Sequence, residues 1–292
     1  YIFVIFCLIC ILSSLLSDNI LFSLKTSLFY FRIGVFSMLI LFLIDQNKKI
    51  LDFFYYSLFI TFLIIVIDGY IQYLSGQNIF GLAIKDYRVS SFFGNQLILG
   101  SYLSRLFPLF FALFVIRKKK KQIEIYFISI LFIGIDVLIF LSGERTAFFL
   151  LNLSTIFIIL FIREYKLFRL SIFILSIIVI TLITFGDEKL KNRYIKAPIE
   201  SIGINSLSGK KYFFSPTHDS FFRTSWNMFL DKPFLGHGPK MFRIKCSNEI
   251  FAEGKKPCST HPHNFYVQLL AETGIAGFLF LFGVFIYIIF LI

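Results

Sequence analysis

Apolar residues in this chain come in long runs, near positions 1–17, 28–44, 53–67, 97–116, 125–141, 146–162, 170–186 and 265–292. Segments of this length with few charges are the signature of bilayer-spanning helices rather than of a soluble core. The pattern predicts an all-α polytopic membrane protein with about eight transmembrane helices. Three short basic loops separate the runs: Asp45–Asp52 with Lys48 and Lys49, Arg117–Glu124 with Arg117 and Lys118 to Lys121, and Arg163–Arg169. The positive-inside rule puts all three in the cytoplasm, and two crossings between each make that assignment self-consistent. The opposite face then receives 18–27, 68–96, a tight turn at Ser142–Glu144 and the long stretch 187–262. The expected organisation is therefore seven spans over 1–186, an extracytoplasmic loop over 187–262, and a helix start with the eighth span over 263–292. Within the loop, Asn205–Lys211 reads as a flexible connector. Ser220–Leu230, with Phe221, Phe222, Trp226, Met228 and Phe229, reads as an amphipathic helix lying on the membrane.

Composition sharpens this picture. Of 292 residues, 57% are hydrophobic and only 16% charged, against roughly 25% charged in soluble domains. A soluble enzyme and a disordered chain are both excluded. The net charge of +12 could suggest nucleic acid, but many of the cations sit in short loops where they set topology, and no nucleic-acid motif accompanies them. No nucleic-acid partner is expected. The chain starts at Tyr1 and stops inside an apolar run, as expected of a fragment lacking helices at both ends. Cys7 and Cys10 lie in the first span as small apolar residues. Cys246 and Cys258 share the extracytoplasmic loop, where a disulfide between them is allowed.

Charges at membrane depth cost about 2.5 kcal/mol or more at a helix centre and are functional suspects by default. Arg32, Arg105, Asp136 and Arg145 stand out, and Arg88 precedes the span that holds Arg105. The four arginines fall toward the outer face. Arginine stays charged when desolvated and offers a planar fork to phosphate oxygens, so the set suggests a lipid-linked phosphate or diphosphate ligand. The alternative is snorkelling to headgroups, or pairing with Asp136 or Glu144. The four histidines, His218, His237, His261 and His263, all lie in the outer loop. Their spacings match no zinc motif, so neither a metal nor another cofactor is expected. A single catalytic histidine needs only position, and His263 has it, where the loop re-enters the membrane. In the last segment Asn264, Gln268 and Glu272 recur at i, i+4 and i+8, a polar stripe running toward the membrane. Gly274 and Gly277 follow as a close-packing face.

These residues resemble a known family. His263-Asn264, nine residues, then Gly274-Ile275-Ala276-Gly277 is similar to the H-N-x9-G-x-x-G pattern of bacterial O-antigen ligases and the related Wzy-type polymerases. Arg88-Val-Ser-Ser-Phe-Phe-Gly-Asn95 resembles the family's outer-loop R-x-x-G/S-x-x-x-N segment, with Ser91 and Gln96 departing from the common Gly and Pro. Ser142-Gly-Glu-Arg-Thr-Ala147 resembles its S-x-x-R-x-A helix start. Phe234-Leu-Gly-His-Gly-Pro239, preceded by Arg223 and Trp226, resembles its P-x-x-G-x-G turn, with Gly236 and Gly238.

The resemblance implies a membrane glycosyltransferase of GT-C-like architecture in the bacterial inner membrane, with its active site facing the periplasm. It implies transfer of a glycan from an undecaprenyl-diphosphate donor to a lipid A core or a growing glycan. His263 would deprotonate the acceptor hydroxyl. Arg88 and Arg145 would hold the diphosphate, with Arg223 as a further contact and Asn264 and Glu272 on the substrate side. Arginines stabilising the leaving diphosphate take over a metal's electrostatic role. A polymerase shares donor, face and motif and is the nearest alternative. A transporter or flippase, the alternative from another class, predicts inverted repeats and broken helices with ionisable groups at the midplane, whereas the polar groups here lie toward one face. Membrane lipids surround the chain in every reading, and nothing in the sequence sets an oligomeric state.

Overall fold

A computed structural model describes residues 1–117, 120–196, 199 and 216–291, and the Asn205–Lys211 connector lies outside them. Among these residues the chain is helical, with no strand beyond two isolated bridges, Gln77 with Ala83 and Lys85 with Arg88. It divides into two compact units, one of residues 1–42 and 199–292, the other of residues 43–198.

Among the described residues, six helices are long and apolar enough to cross a membrane: α2 (Ile20–Gln46), α3 (Lys49–Ser75), α4 (Leu99–Ile116), α5 (Gln122–Leu141), α7 (Lys166–Gly186) and α11 (Phe265–Leu291). Two of the eight expected spans are shorter, α1 (Ile2–Leu15) with 14 residues and α6 (Arg145–Phe161) with 17. At 1.5 Å per residue they reach about 21 and 25 Å, short of a ~30 Å hydrocarbon layer. The smaller helices are α8 (Glu188–Lys191), followed by a π-turn at Asn192–Lys196, then α9 (Pro216–Asp231) and α10 (Phe242–Lys245). Apolar side chains such as Val35, Phe36, Met38 and Leu41 stand exposed along α2, the face a lipid-embedded helix presents.

The unit of residues 43–198 packs α3 to α7 around a phenylalanine core. Phe62, Phe107, Phe110, Phe111, Phe114 and Phe132 are essentially fully buried, with Phe62–Phe110 and Phe110–Phe132 meeting edge to face at 5.0 and 5.6 Å. In lipid the drive for such packing is van der Waals contact rather than water release.

Three expectations about this unit need correction. Helix α3 was expected to end near Ile67, yet it runs to Ser75, because Asp68 and Gln72 are buried partners of the following loop rather than solvent-facing ends. The basic loop Arg163–Arg169 is shorter than its charges suggest. Arg169 lies inside α7, fully buried, and its guanidinium bonds both oxygens of Asp136 at 2.9 and 3.0 Å and the Thr155 hydroxyl at 2.6 Å. Asp136, taken as a suspect for chemistry, is thus spent on a bidentate pair, with Ser176 donating to it as well.

The other unit packs α1 and α9 against α11. The stretch 18–27, read as an outer loop, is mostly the start of α2. Its polar residues are buried in a serine network: Ser14 Oγ lies 2.9 Å from Ser23 Oγ and 2.6 Å from Ser27 Oγ. Ser13 donates to the backbone oxygens of Leu235 (2.5 Å) and Glu272 (2.8 Å), tying α1 to the segments that carry the family motifs.

Candidate functional site

In the unit of residues 1–42 and 199–292, the region around His263 is set by an interlock between a turn and a break in a helix. Helix α11 carries one residue with non-helical geometry, Gly274, at φ 64° and ψ −161°. Such a break frees backbone groups inside a helix of membrane-spanning length, and each must find a partner. The turn at 233–238 supplies them. Ile275 N and Ala276 N donate to Pro233 O and Phe234 O at 2.8 and 3.2 Å, while His237 N and Gly238 N donate to Ala271 O and Glu272 O at 3.0 and 2.8 Å. Approach is so close that a Cβ on Gly236 would lie 2.5 Å from the Glu272 carbonyl carbon, and one on Gly274 would strike the Phe234 backbone. Gly277 differs, since it keeps helical geometry and the atoms nearest its Cβ belong to the Thr273 side chain of its own helix.

Glu272 is buried, accepting from Gln268 Nε2 at 3.0 Å and from Phe242 N at 3.2 Å. Its carboxylate therefore anchors α10 to α11. Asn264 Oδ1 accepts from Val267 N at 3.1 Å and caps the start of α11. The polar stripe thus holds backbone in place. Its neighbour His237 is wholly buried, with Nε2 2.9 Å from Met228 O and Nδ1 2.9 Å from Lys245 Nζ. Nε2 must donate to the carbonyl and Nδ1 accept from the ammonium, so the ring is neutral. Burial and Lys245 both push its pKa down. Asp18 binds Lys232 at 2.8 Å and pairs with Lys245 as well, which holds its carboxyl down at about 2. Cys246 and Cys258 are joined in a disulfide, with Cα atoms 5.1 Å apart.

His263 itself sits at a positive φ of 57° just before α11. Its ring stacks on Phe221 of α9 at 5.4 Å, with His218 at 5.7 Å and His261 at 4.3 Å, and Nε2 lies 3.1 Å from Ser259 Oγ. Partial burial, then the neighbouring His261 and His218, lower its pKa. A neutral imidazole at neutral pH can accept a proton. Among the described residues, no group of three or more His, Cys, Asp or Glu is arranged to hold a metal ion. Arg223 lies two residues beyond Phe221 on α9 and pairs at 2.8 Å with Asp219, one turn before it.

In the unit of residues 43–198, Arg145 lines a cavity of about 270 Å³, and Arg88 stands beside Arg193 of the same lining. The lining is Asp86, Tyr87, Arg145, Lys189, Leu190, Asn192 and Arg193. The loop bearing Arg88 is fixed from α3: Gln72 Oε1 accepts from Ser90 N and Ser91 N at 2.8 and 2.7 Å, and Asp68 accepts from Ser91 Oγ at 2.5 Å and Ile79 N at 3.1 Å. Arg88 Nε donates to Ser142 O at 2.8 Å, in the turn between α5 and α6, and Arg193 Nε donates to Gly143 O at 2.7 Å in the same turn. A Cβ on Gly143 would come within 2.9 Å of both arginines, so glycine there lets them converge. Glu144 caps α4, accepting from Gly100 N at 2.8 Å and Ser101 Oγ at 2.5 Å, and lies 3.9 Å from Arg88. Burial, Arg88 and Arg145 all depress the pKa of Arg193. The cations repel one another, an arrangement that an anion relieves.

Lys189 and Arg193 were not singled out in the sequence, where they look like ordinary charges at the start of a basic loop. Arg32 and Arg105, which were, do not line this cavity: Arg32 lies over the Phe29 ring at 5.2 Å, and Arg105 is exposed on α4.

Residues 127–282 match a family model, Wzy_C, described as O-antigen ligase. That is just over half of the chain. The chain belongs to the O-antigen ligase family. The matched region runs from within α5 into α11, and so includes Arg145, Arg193, the 233–238 turn and His263, while Arg88 lies before it. No curated protein and no solved structure matches the chain. Together with the six apolar helices, membership of this family points to a multi-pass protein of the bacterial inner membrane with ligase- or polymerase-type activity in lipopolysaccharide synthesis.

Proposed function

We propose that this protein transfers a glycan from a polyprenyl-diphosphate carrier to the lipid A core at the periplasmic face, as an O-antigen ligase. The observation that carries the reading is the cation-lined cavity of Arg145, Lys189 and Arg193, with Arg88 beside Arg193 at the Gly143 turn. Three guanidiniums and an ammonium, set against the carboxylates of Asp86 and Glu144, suit a diphosphate better than a neutral ligand.

In the proposed reaction the acceptor hydroxyl attacks the anomeric carbon of the carrier-linked sugar. The bond from that carbon to the diphosphate oxygen breaks, and its electrons leave with the diphosphate, which stays on the polyprenol. The cations stabilise the charge that develops there, an effect that grows in a site shielded from water. His263 takes the hydroxyl proton. Arg88 and Arg145 act on the diphosphate, joined by Arg193 and Lys189. Arg223, in the unit that carries His263, is a substrate contact, and Asn264 and Glu272 hold the backbone that presents His263.

The test is complementation of a strain lacking its surface-glycan ligase, using the complete gene and the variants His263→Ala, Arg145→Lys and Arg193→Lys at matched membrane levels. Wild type should restore glycan on lipid A core, and all three variants should lose it. The lysine variants keep the charge and remove only the fork. Wild type that lengthens carrier-linked chains without touching lipid A core would make the protein a polymerase. Lysine variants as active as wild type would dispose of the diphosphate role.

A further inference from the structure

A second cavity, of about 420 Å³, lies in the unit that carries His263, and the reaction proposed above leaves most of its lining unused. It is lined by Phe222, Arg223, Trp226, Asn227, Glu253, Val267 and Leu270. Its volume falls within the ~300–1,000 Å³ typical of small-molecule sites.

Two helices and one loop build it. On α9, Phe222 and Trp226 are one turn apart, as are Arg223 and Asn227, so an aromatic row and a polar row run side by side. The neighbouring face of α9 is buried through Phe221, Thr224 and Met228, and Phe221 is the residue on which His263 stacks. Val267 and Leu270 come from the first turns of α11, which His263 precedes by two residues. Glu253 is held by its backbone: Thr224 Oγ1 accepts from its N–H at 3.1 Å, and Ser220 Oγ donates to its carbonyl. That clamp leaves the exposed carboxylate at the rim. Asn227 Nδ2 donates to Phe251 O at 3.2 Å, and the amide oxygen remains as an acceptor. Trp226 is 49% exposed.

We propose that this cavity binds the acceptor saccharide, resting on the reading that His263 serves an acceptor hydroxyl. Aromatic rings pack against the apolar C–H face of a sugar, while a carboxylate, an amide and a guanidinium around the edge answer its hydroxyls. A lipid surface is the rival occupant, and the lining argues against it. Glu253 would face anionic headgroups, and a mixed-sign rim has no partner among acyl chains.

Trp226 is the only tryptophan in the chain, so its fluorescence reports this cavity without any need for turnover. The probe is water-soluble core oligosaccharide, freed from lipid A by mild acid and titrated into the full chain in phospholipid vesicles, which add no tryptophan. Wild type and His263→Ala should both show a saturable change in Trp226 emission, weakened about tenfold by Glu253→Ala and by Phe222→Leu. The inference is overturned if wild type gives no change, or if both variants respond like wild type. It is also overturned if brominated phospholipid quenches Trp226 strongly while the oligosaccharide leaves it unaltered, which would make the patch a membrane contact. Glycan transfer measured on the same preparations separates this inference from the proposed function. Transfer without a Trp226 response sinks the cavity alone, and a Trp226 response without transfer sinks the ligase reading alone.

Discussion

The two glycines of the G-x-x-G motif look equivalent in the sequence, but the structure gives them unequal tolerances. An alanine at 274 must adopt φ 64° and ψ −161°, a region essentially reserved for glycine, at a cost on the order of 1–3 kcal/mol. Its Cβ also strikes the backbone of Phe234, which cannot rotate away as a side chain could. Relieving that clash means separating the turn from the helix break and losing the hydrogen bonds from Ile275 N and Ala276 N to Pro233 O and Phe234 O. Each is worth about 1 kcal/mol, so Gly274→Ala should cost about 3–5 kcal/mol in total. Gly277→Ala brings its Cβ to 2.7 Å from the Thr273 Cβ, which no rotamer change moves, but position 277 keeps helical geometry and none of the turn's hydrogen bonds depends on it, so a small shift of the helix should hold the cost to about 1–3 kcal/mol. The assay is thermal unfolding of both variants in detergent, followed by size-exclusion recovery, alongside glycan transfer. Gly274→Ala should melt several degrees lower and lose transfer, whereas Gly277→Ala should melt less far below wild type and keep transfer. Equal behaviour of the two, or a worse Gly277→Ala, would refute the interlock between the turn and the break.

The pH dependence of transfer should report His263. Because its folded pKa lies below the ordinary histidine value, the acid limb of kcat/KM should fall below pH 6.5, and His218→Asn should move that limb upward by removing a neighbour that opposes protonation; an unmoved limb would remove His218 from the electrostatics. His237 is held neutral by burial and by Lys245, so its contribution to stability is present above pH 6.5 and is lost as pH falls through its lower folded value. Melting temperature should therefore drop on acidification from pH 8 to 5, with a shallower slope in His237→Gln, and an identical slope in that variant would count against the assignment. In the buried pair, Asp136→Asn leaves the Arg169 charge without its partner and should cost about 3–5 kcal/mol, while the double change Asp136→Leu with Arg169→Met should recover most of it. A double variant no more stable than the single one would show that the pair is not the coupled unit its geometry describes.

How much of the fold was legible depended on what each residue type does at a membrane edge. Hydropathy located, among the described residues, six helices of spanning length, two shorter apolar ones and the tight Ser142–Glu144 turn, because apolar runs and a glycine between them leave a direct trace. Helix edges were misjudged wherever a polar residue was buried. Asp68 and Gln72 end the apolar run but continue the helix, and they serve the 78–91 loop as hydrogen-bond partners. Arg169 was assigned to a loop because it borders the apolar run, and only its convergence with Asp136, 33 residues away, shows it to be core. A hydropathy window cannot see such a pairing, since it scores each charge as though it faced the lipid alone.

The site was legible to the extent that its chemistry sits on short local patterns. Arg145 on a helix start, Arg88 in a loop and His263 ahead of the last span could be named because each stands where a charge or an imidazole needs a reason. Arg193 could not, since a cation in a basic stretch needs none. What distinguishes it is three-dimensional: its Nε is fixed on Gly143 O, in the turn that also takes Arg88, so two guanidiniums are pinned through one pair of adjacent carbonyls. Arg193 thereby spends a single donor on the protein backbone, whereas Arg88 spends two, Nε on Ser142 O and Nη2 on Leu97 O. A guanidinium carries five N–H donors, so most of the fork's capacity is not committed there. Arg193→Lys should therefore weaken transfer more than Lys189→Arg does, because lysine cannot hold Gly143 O and also present a planar edge to an anion. The reverse order would mean that charge alone, rather than the pinned fork, sets the strength of the cavity.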